Sequence, residues 1–331
     1  MSRFSIFFIY STVSFIIGIF MPFAAHSAES SWPIKGKPVR VVVPFPPGLG
    51  TDILMRQIAR KIFEQTGISV VVDNKPGAGT IIGAQEVARA KADGHTLLYT
   101  IVVTHTQNPH LYTKLPYDPF NDFTPVTQIV RSATVLVVKN DSPFNTVRDL
   151  ITAAKTYPDA MNFASYSAGS TSHLNGEILR IKSGTNMIHV PYKGTSEATR
   201  ALITGEVNFY FDGTASAIEG YKSGMYKLLG VASDKRLTLL PELPTIAEQG
   251  IVGLDIVGWQ GIFGPAGMNN DVTRKISDVF SNAINSDEIS SLIVRQGNEI
   301  SGLGPKEFSA IVRRDYERWG KVIKDLGLRL N

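Results

Sequence analysis

Few residues of this chain stand at spacings that could do chemistry. Ser170 and His173 lie three apart at one predicted helix start, but no Gly-x-Ser-x-Gly elbow surrounds the serine. An N-cap role for Ser170 or Thr171 accounts for the same pattern. His105 and His110 are five apart in a loop, with no His-x-x-x-His or acidic cluster to complete a metal site. Gly77-x-Gly79-x-x-x-Gly83 follows a strand and enters a helix, yet it misses the Gly-x-Gly-x-x-Gly spacing of a dinucleotide site. There is no P-loop. Enzymatic turnover, a cofactor and a metal are therefore not expected.

What the chain has in quantity is short glycine-, proline- and hydroxyl-rich loops ahead of helices. The first is Pro44-Phe45-Pro46-Pro47-Gly48-Leu49-Gly50-Thr51-Asp52, and the second is Asn74–Thr80. A third runs from Thr104 and His105 to Tyr112, a fourth from Tyr166 to His173, and a fifth from Tyr192 to Ser196. Lys75 and Lys193 are their only cations. Such loops suit a carboxylate held by backbone N–H groups, hydroxyls and helix dipoles, each dipole contributing roughly 0.3–2 kcal/mol. That chemistry is reversible capture, not bond-making. The plain alternative for the first loop is an ordinary turn capped by Thr51 or Asp52. Beside an anion, Asp52 would cap its helix or hold ordered waters that bridge to the ligand.

The elements that must carry these loops follow from periodicity. Val39–Val43, Ser69–Asp73 and Thr96–Val103 read as buried strands, separated by helices from Ile53 to about Gln65 and from Ile81 to Ala88. This is a parallel α/β layout, with ligand loops at the strands' carboxyl ends. Proline punctuates 115–119 and 122–126, which read as connections. After a strand at 133–139 and a helix through Leu150, a second α/β unit begins: strands near 162–165, 186–191, 207–213 and 228–233, with a helix from Leu174 to about Ile181. Three amphipathic helices near 272–284, 288–296 and 308–326 close the chain, with Trp319 on the core face of the last. Two such halves facing each other would line a cleft.

Bulk properties narrow the class. The 331 residues include no cysteine and carry a net charge of +4 without any basic block, so disulfides, thiolate sites and nucleic-acid binding are not expected. Met1-Ser2-Arg3, the apolar run Phe4–Met21 and Ala25-His26-Ser27 read as a secretory signal cleaved near Ser27/Ala28. A periplasmic protein follows.

Six segments then resemble one family in order: Val42–Gly48, Asn74–Gly79, Asp93–Leu98, Leu115–Pro119, His189–Gly194 and Leu243–Glu248. The chain is similar, from about Trp32 to Leu328, to the tripartite tricarboxylate transporter receptors, periplasmic solute-binding proteins also called Bug proteins. The resemblance implies a two-lobed, type II-like periplasmic-binding-protein fold, each lobe a mostly parallel sheet flanked by helices. Residues 28–128 and 250–331 would form lobe 1 and residues 129–249 lobe 2, with hinges near residues 128 and 250. It implies a small carboxylate ligand, delivery to the membrane subunits of a tripartite tricarboxylate-type transporter, and a monomeric receptor. Input to a membrane kinase is the alternative role. Phe45 would cover the ligand, with Pro46, Gly48, Leu49 and Asp52 in the first loop, Gly79 and Thr80 in the second, and Thr104 in the third. The opposite lobe would supply Ser165, Ser170, Thr171, Lys193 and Asp212. Leu49 and Ser167 stand where the family commonly has glycine.

Overall fold

The structure, a computed structural model, describes Met1 and residues 32–158, 160–255 and 257–330. The expected secretory signal lies outside the described residues. No helix among the described residues is long and apolar enough to cross a membrane.

The first strand explains the first layer. In β1 (Val39–Val43), Val39, Val41 and Val43 pack with Leu54, Met55, Ile58 and Ile62 of α1 (Gly50–Thr66). Val42 points the other way, to Ile81, Ala84 and Val87 of α2 (Ile81–Ala88). A strand covered on both faces needs apolar residues at every position. Arg40 is the exception, and it reaches out to ion pairs with Asp73 and Glu86. With β2 (Val70–Asn74) and β3 (Thr96–Ile101), β1 forms a parallel set in the order β3-β1-β2, as the periodicity predicts.

Beyond β3 the sheets depart from the expected mostly parallel arrangement. The third loop is helical: the chain goes directly from β3 into α3 (Val102–Thr106) and α4 (Asn108–Leu111), with Pro109 in the first turn of α4. The proline-rich segment then opens a strand, β4 (Phe123–Ser132). Pro125 is tolerated there because it pairs with Phe263 beside a bulge and lies beyond the stretch of β4 that a second neighbour reaches. Only Ala133 separates β4 from β5 (Thr134–Lys139), and β5 already belongs to the second sheet. The intervening elements are α5 (Val147–Thr156), β6 (Asn162–Ser165), α6 (Thr171–Ser183), β7 (Ile188–Pro191), α7 (Thr195–Thr204), β8 (Phe209–Gly213), α8 (Thr214–Lys222) and β9 (Tyr226–Ala232). The chain returns to the first sheet as β10 (Gly258–Pro265), and α9 (Asn270–Ile284), α10 (Asp287–Arg295), β11 (Glu299–Leu303) and α11 (Pro305–Leu326) complete it.

Both sheets are mixed. The first has the order β11-β4-β10-β3-β1-β2 and the second β7-β6-β8-β5-β9. In each, a parallel βαβ core (β3-β1-β2; β7-β6-β8) is joined to antiparallel strands. The antiparallel part comes from partners distant in the chain: β4 lies between β10 and β11, and β5 between β8 and β9.

Residues 32–331 form one compact unit. One apolar cluster runs from Trp259, Phe263 and Phe308 of the first sheet's side to Leu136, Phe163, Phe209 and Phe211 of the second. α11 belongs to this cluster through Phe308, Val312, Trp319 and Ile323, alongside Leu174, Ile178 and Leu179 of α6. Trp319 is buried, as its spacing predicts.

Gly261 of β10 marks a tight constraint in this layer. A Cβ there would meet the Phe308 ring at 2.3 Å and the Thr127 carbonyl at 3.1 Å. Gly261→Ala is expected to destabilise the protein by about 1–3 kcal/mol through overpacking. Urea unfolding would show a lower midpoint with an unchanged slope.

Candidate functional site

At the carboxyl end of β1, the first loop is built around one buried carboxylate. Asp52, 2% exposed, sits in the first turn of α1. Its Oδ2 accepts the Gly48 N–H at 2.8 Å, and its Oδ1 accepts the Asn74 side-chain amide at 2.9 Å. The Arg56 Nε donates to both oxygens at 3.0 Å. Asp52 is thus held by three N–H donors, one of them shared between its two oxygens, and works as a brace. Asn74 also donates to the Phe45 carbonyl at 3.0 Å and accepts from Arg56 at 2.8 Å, so the end of β2 is tied to the first loop. Burial alone would raise the Asp52 pKa, but the Arg56, Gly48 and Asn74 donors hold it below its ordinary 3.8. The cap of α1 is Leu49, and no side chain caps the helix.

The second loop is strained. Gly77, Ala78, Gly79 and Thr80 have φ of 130°, 46°, 59° and 82°. A β-branched residue at positive φ is a true outlier, and each non-glycine residue so held costs of order 1–3 kcal/mol. Side chains of α3 and α4 hold the loop in place. Asn108 donates to the Gly79 carbonyl at 2.8 Å, and the Thr80 hydroxyl lies 2.7 Å from that of Thr104, which meets the Thr100 hydroxyl at 2.6 Å. Tyr117 donates to the Thr104 carbonyl at 2.7 Å. Thr80 sits at the cap position of α2 with its hydroxyl turned away from the helix.

The two sheets meet at Gln107. It is fully buried, and its side-chain nitrogen donates to the Thr171 hydroxyl at 3.3 Å. Close by, Gly169 lies so near Leu111 and Leu330 that a Cβ would stand 2.9 and 3.0 Å from their methyls.

The second sheet's side is polar, and it buries the Asp212 carboxyl, whose pKa burial first of all pushes above its ordinary 3.8. Ser170 caps α6, accepting the His173 N–H at 3.3 Å, which settles the Ser170–His173 spacing as a cap. The Ser170 hydroxyl donates to the Ser167 carbonyl at 2.7 Å, and the Ser165 hydroxyl donates to the same carbonyl at 2.9 Å. Ser165 also meets His189 Nε2 at 2.7 Å. His189 stacks on His173 at 3.7 Å, and burial first of all lowers their pKa values to about 3 and about 4. Both rings are neutral at physiological pH. Thr171 and Asp212 both bear on Tyr166, whose phenol is pushed up to about 12, first by burial and further by the Asp212 charge. Asp212, 1% exposed, ends β8; its Oδ1 accepts the Gly213 N–H at 2.8 Å and the Ser216 hydroxyl at 2.6 Å.

The predicted residues thus fall into three groups. Thr80, Thr104 and Thr171 are buried and linked through Gln107, Asn108 and the hydroxyl chain, with Gly79 held at its edge. Ser165, Ser170 and Asp212 are buried behind Thr171 and engaged with their own loops. Pro46, Gly48, Leu49 and Lys193 are exposed, Leu49 at 49%, while Phe45 is half-buried. Lys75 lies 3.6 Å from Asp73, so the second loop's cation is partly balanced. His105 belongs to the core: it stacks on Phe263 at 3.8 Å, and burial pushes its pKa to about 3. Among the described residues no three His, Cys, Asp or Glu side chains come together to hold a metal. Sequence reasoning missed Gln107, Asn108, Arg56 and Tyr166. Only Arg56 carried a signal, the Asp52-to-Arg56 spacing of a helical ion pair.

The chain as a whole is similar to known proteins. A model of the tripartite tricarboxylate transporter family receptors matches residues 54–328, the family that the six segments resemble. The UPF0065 protein of the tcbD-tcbE intergenic region in Pseudomonas sp. (strain P51) is 34% identical over 95% of this chain and 94% of its own. Rpa4515 of R. palustris, solved with adipate, is 33% identical with a TM-score of 0.79, over 90% of this chain and 100% of its own. MatC of Rhodopseudomonas palustris, solved with malate, is 28% identical with a TM-score of 0.75, over 88% of this chain and 100% of its own. The fold is the two-lobed α/β fold of periplasmic binding proteins.

The Asp52 brace has a pH signature. With its folded pKa below the unfolded one, its stabilisation is present above the ordinary carboxylate range and is lost as pH falls through the folded value. Asp52→Asn is expected to cost about 1–3 kcal/mol at neutral pH. Its melting temperature should also fall less than that of the parent between pH 5 and pH 3, in scans taken across roughly that carboxylate window.

Proposed function

The chain belongs to the tripartite tricarboxylate transporter family of receptors, and from that premise we propose that it captures a small carboxylate between its lobes and hands it to membrane subunits of such a transporter. The carrying observation is the donor set around Thr80, Thr104 and Thr171: buried hydroxyls and helix starts without side-chain caps, at the meeting edge of two sheets. The strain stored in Ala78 and Thr80 supports the same reading, since such backbone is retained where geometry serves binding. Adipate and malate on the similar proteins support a carboxylate as the ligand class.

In this proposal one lobe is residues 28–128 with 250–331 and the other residues 129–249. Residue 128 falls inside β4, so we place that boundary and its swivel at Ala133, where the chain leaves the first sheet for the second, and keep the other near residue 250. Ligand bridging the lobes favours the closed arrangement by its differential contacts. Phe45 and Leu49 shield the mouth, Gly79 and Thr80 hold the carboxylate, and Thr171 meets its far side. The receptor is exported to the periplasm, its signal removed near Ser27/Ala28, and acts as a monomer that binds without turning over its ligand.

A panel of C2–C6 mono- and dicarboxylates tests this by thermal shift. A ligand at 100 times its Kd stabilises by about 2.7 kcal/mol, so melting should rise by several degrees. No shift from any member would refute the proposal. Thr80→Val keeps the branched Cβ and removes the hydroxyl. It should weaken the best ligand by about tenfold in calorimetric titration, at little cost to the fold.

A further inference from the structure

This inference rests on the carboxylate-receptor reading and narrows its ligand. Two buried acceptors at the candidate site have no donor among the described residues: Asp212 Oδ2 and Gln107 Oε1. Each belongs to a side chain that is otherwise engaged, Asp212 through Oδ1 to Gly213 and Ser216, Gln107 through its nitrogen to Thr171. They share one neighbourhood: the Gln107 nitrogen donates to Thr171, and the next residue of α6, Ser172, donates at 2.7 Å to the carbonyl of Phe211, which precedes Asp212 in β8.

A buried acceptor without a donor costs more than the average hydrogen bond is worth, and a carboxylate oxygen costs most. The rest of the site is rich in donors: the Thr80, Thr104 and Thr171 hydroxyls and the helix starts. A plain dicarboxylate brings acceptors only. It would satisfy the donor side and set its second carboxylate against two acceptors. A ligand with an N–H or O–H of its own satisfies both sides.

We propose that the ligand carries, besides its carboxylate, a hydrogen-bond donor (an ammonium or hydroxyl group) received by Asp212 Oδ2 and Gln107 Oε1. The receptor is thus selective for amino or hydroxy acids over the unsubstituted acid of equal length. Sites built to receive a polar group discriminate strongly against analogues that lack it.

Calorimetric titration of the purified protein with matched acids tests this: succinate, malate and aspartate; glutarate, 2-hydroxyglutarate and glutamate; adipate and 2-aminoadipate. In at least one series the donor-bearing acid should bind about tenfold or more tighter than the plain one. Asp212→Asn places an amide where the free oxygen stands and should bring that ratio to one or reverse it. Gln107→Leu, which keeps the bulk and removes the acceptor, should reduce the ratio as well. The melting temperature of each ligand-free variant reports whether it folds. Plain diacids binding as tightly as their substituted partners in every series would overturn the inference and leave the receptor reading intact. So would a preference unmoved by both folded variants, including the case in which Asp212 meets the ligand as a neutral acid. Failure of every acid would overturn the receptor reading and this inference with it.

Discussion

The first sheet's ligand edge depends on a single buried carboxylate. Asp52 could have been a simple helix cap, but its oxygens accept from Gly48, Arg56 and Asn74, which come from the first loop, α1 and the end of β2. One side chain thereby sets the distance between two loops that the chain separates by a whole helix. Burying it is tolerable because both oxygens accept N–H donors, one of them from a guanidinium. The consequence reaches the α1 terminus: with Asp52 turned back to Gly48, no side chain caps the helix start.

The second constraint is the passage between sheets. With Ala133 alone separating β4 from β5, the sheets cannot be independent bodies joined by a long linker. The apolar cluster continues across them, and α11 packs beside α6. The loops at their facing edges are therefore positioned by shared core as well as by the Gln107–Thr171 contact.

These two constraints explain what the sequence revealed and what it concealed. The β3-β1-β2 layer was legible because Val39–Val43 and its neighbours are β-branched runs flanked by amphipathic helices, a local pattern. β4 was not legible, since Pro125 and Pro119 mark a connection by every local rule and only the bulged pairing with β10 makes a strand of it. The sheets' mixed character was hidden for the same reason, as pairing partners far apart in the chain decide strand direction. At the site, hydroxyl- and glycine-rich loops were visible as composition. Gln107 was invisible: one amide between Thr106 and Asn108, distinguished only by its reach to Thr171, 64 residues onward. Asp52 was visible as a residue, but its bracing of two loops was not, because the Asn74 donor that ties it to the end of β2 comes from tertiary structure.

The lack of a buried lysine or arginine among the described residues of the site has a physical logic. His173 and His189 lie stacked and buried, and each would gain charge only at an acidity well below the periplasmic range expected here. Lys193 is exposed, and Lys75 is near Asp73 and Glu86. An anion held here meets hydroxyls and dipoles whose individual contributions are modest and which need no counter-charge when the site is empty. A buried, unpaired arginine would bind more tightly, yet it would incur a large desolvation cost in the ligand-free state and slow release. On the proposed reading, a receptor that must give its ligand up is better served by many weak, fixed donors. The backbone strain at Ala78 and Thr80 would then act as preorganisation, with those groups ordered before a ligand arrives and little further ordering opposing binding.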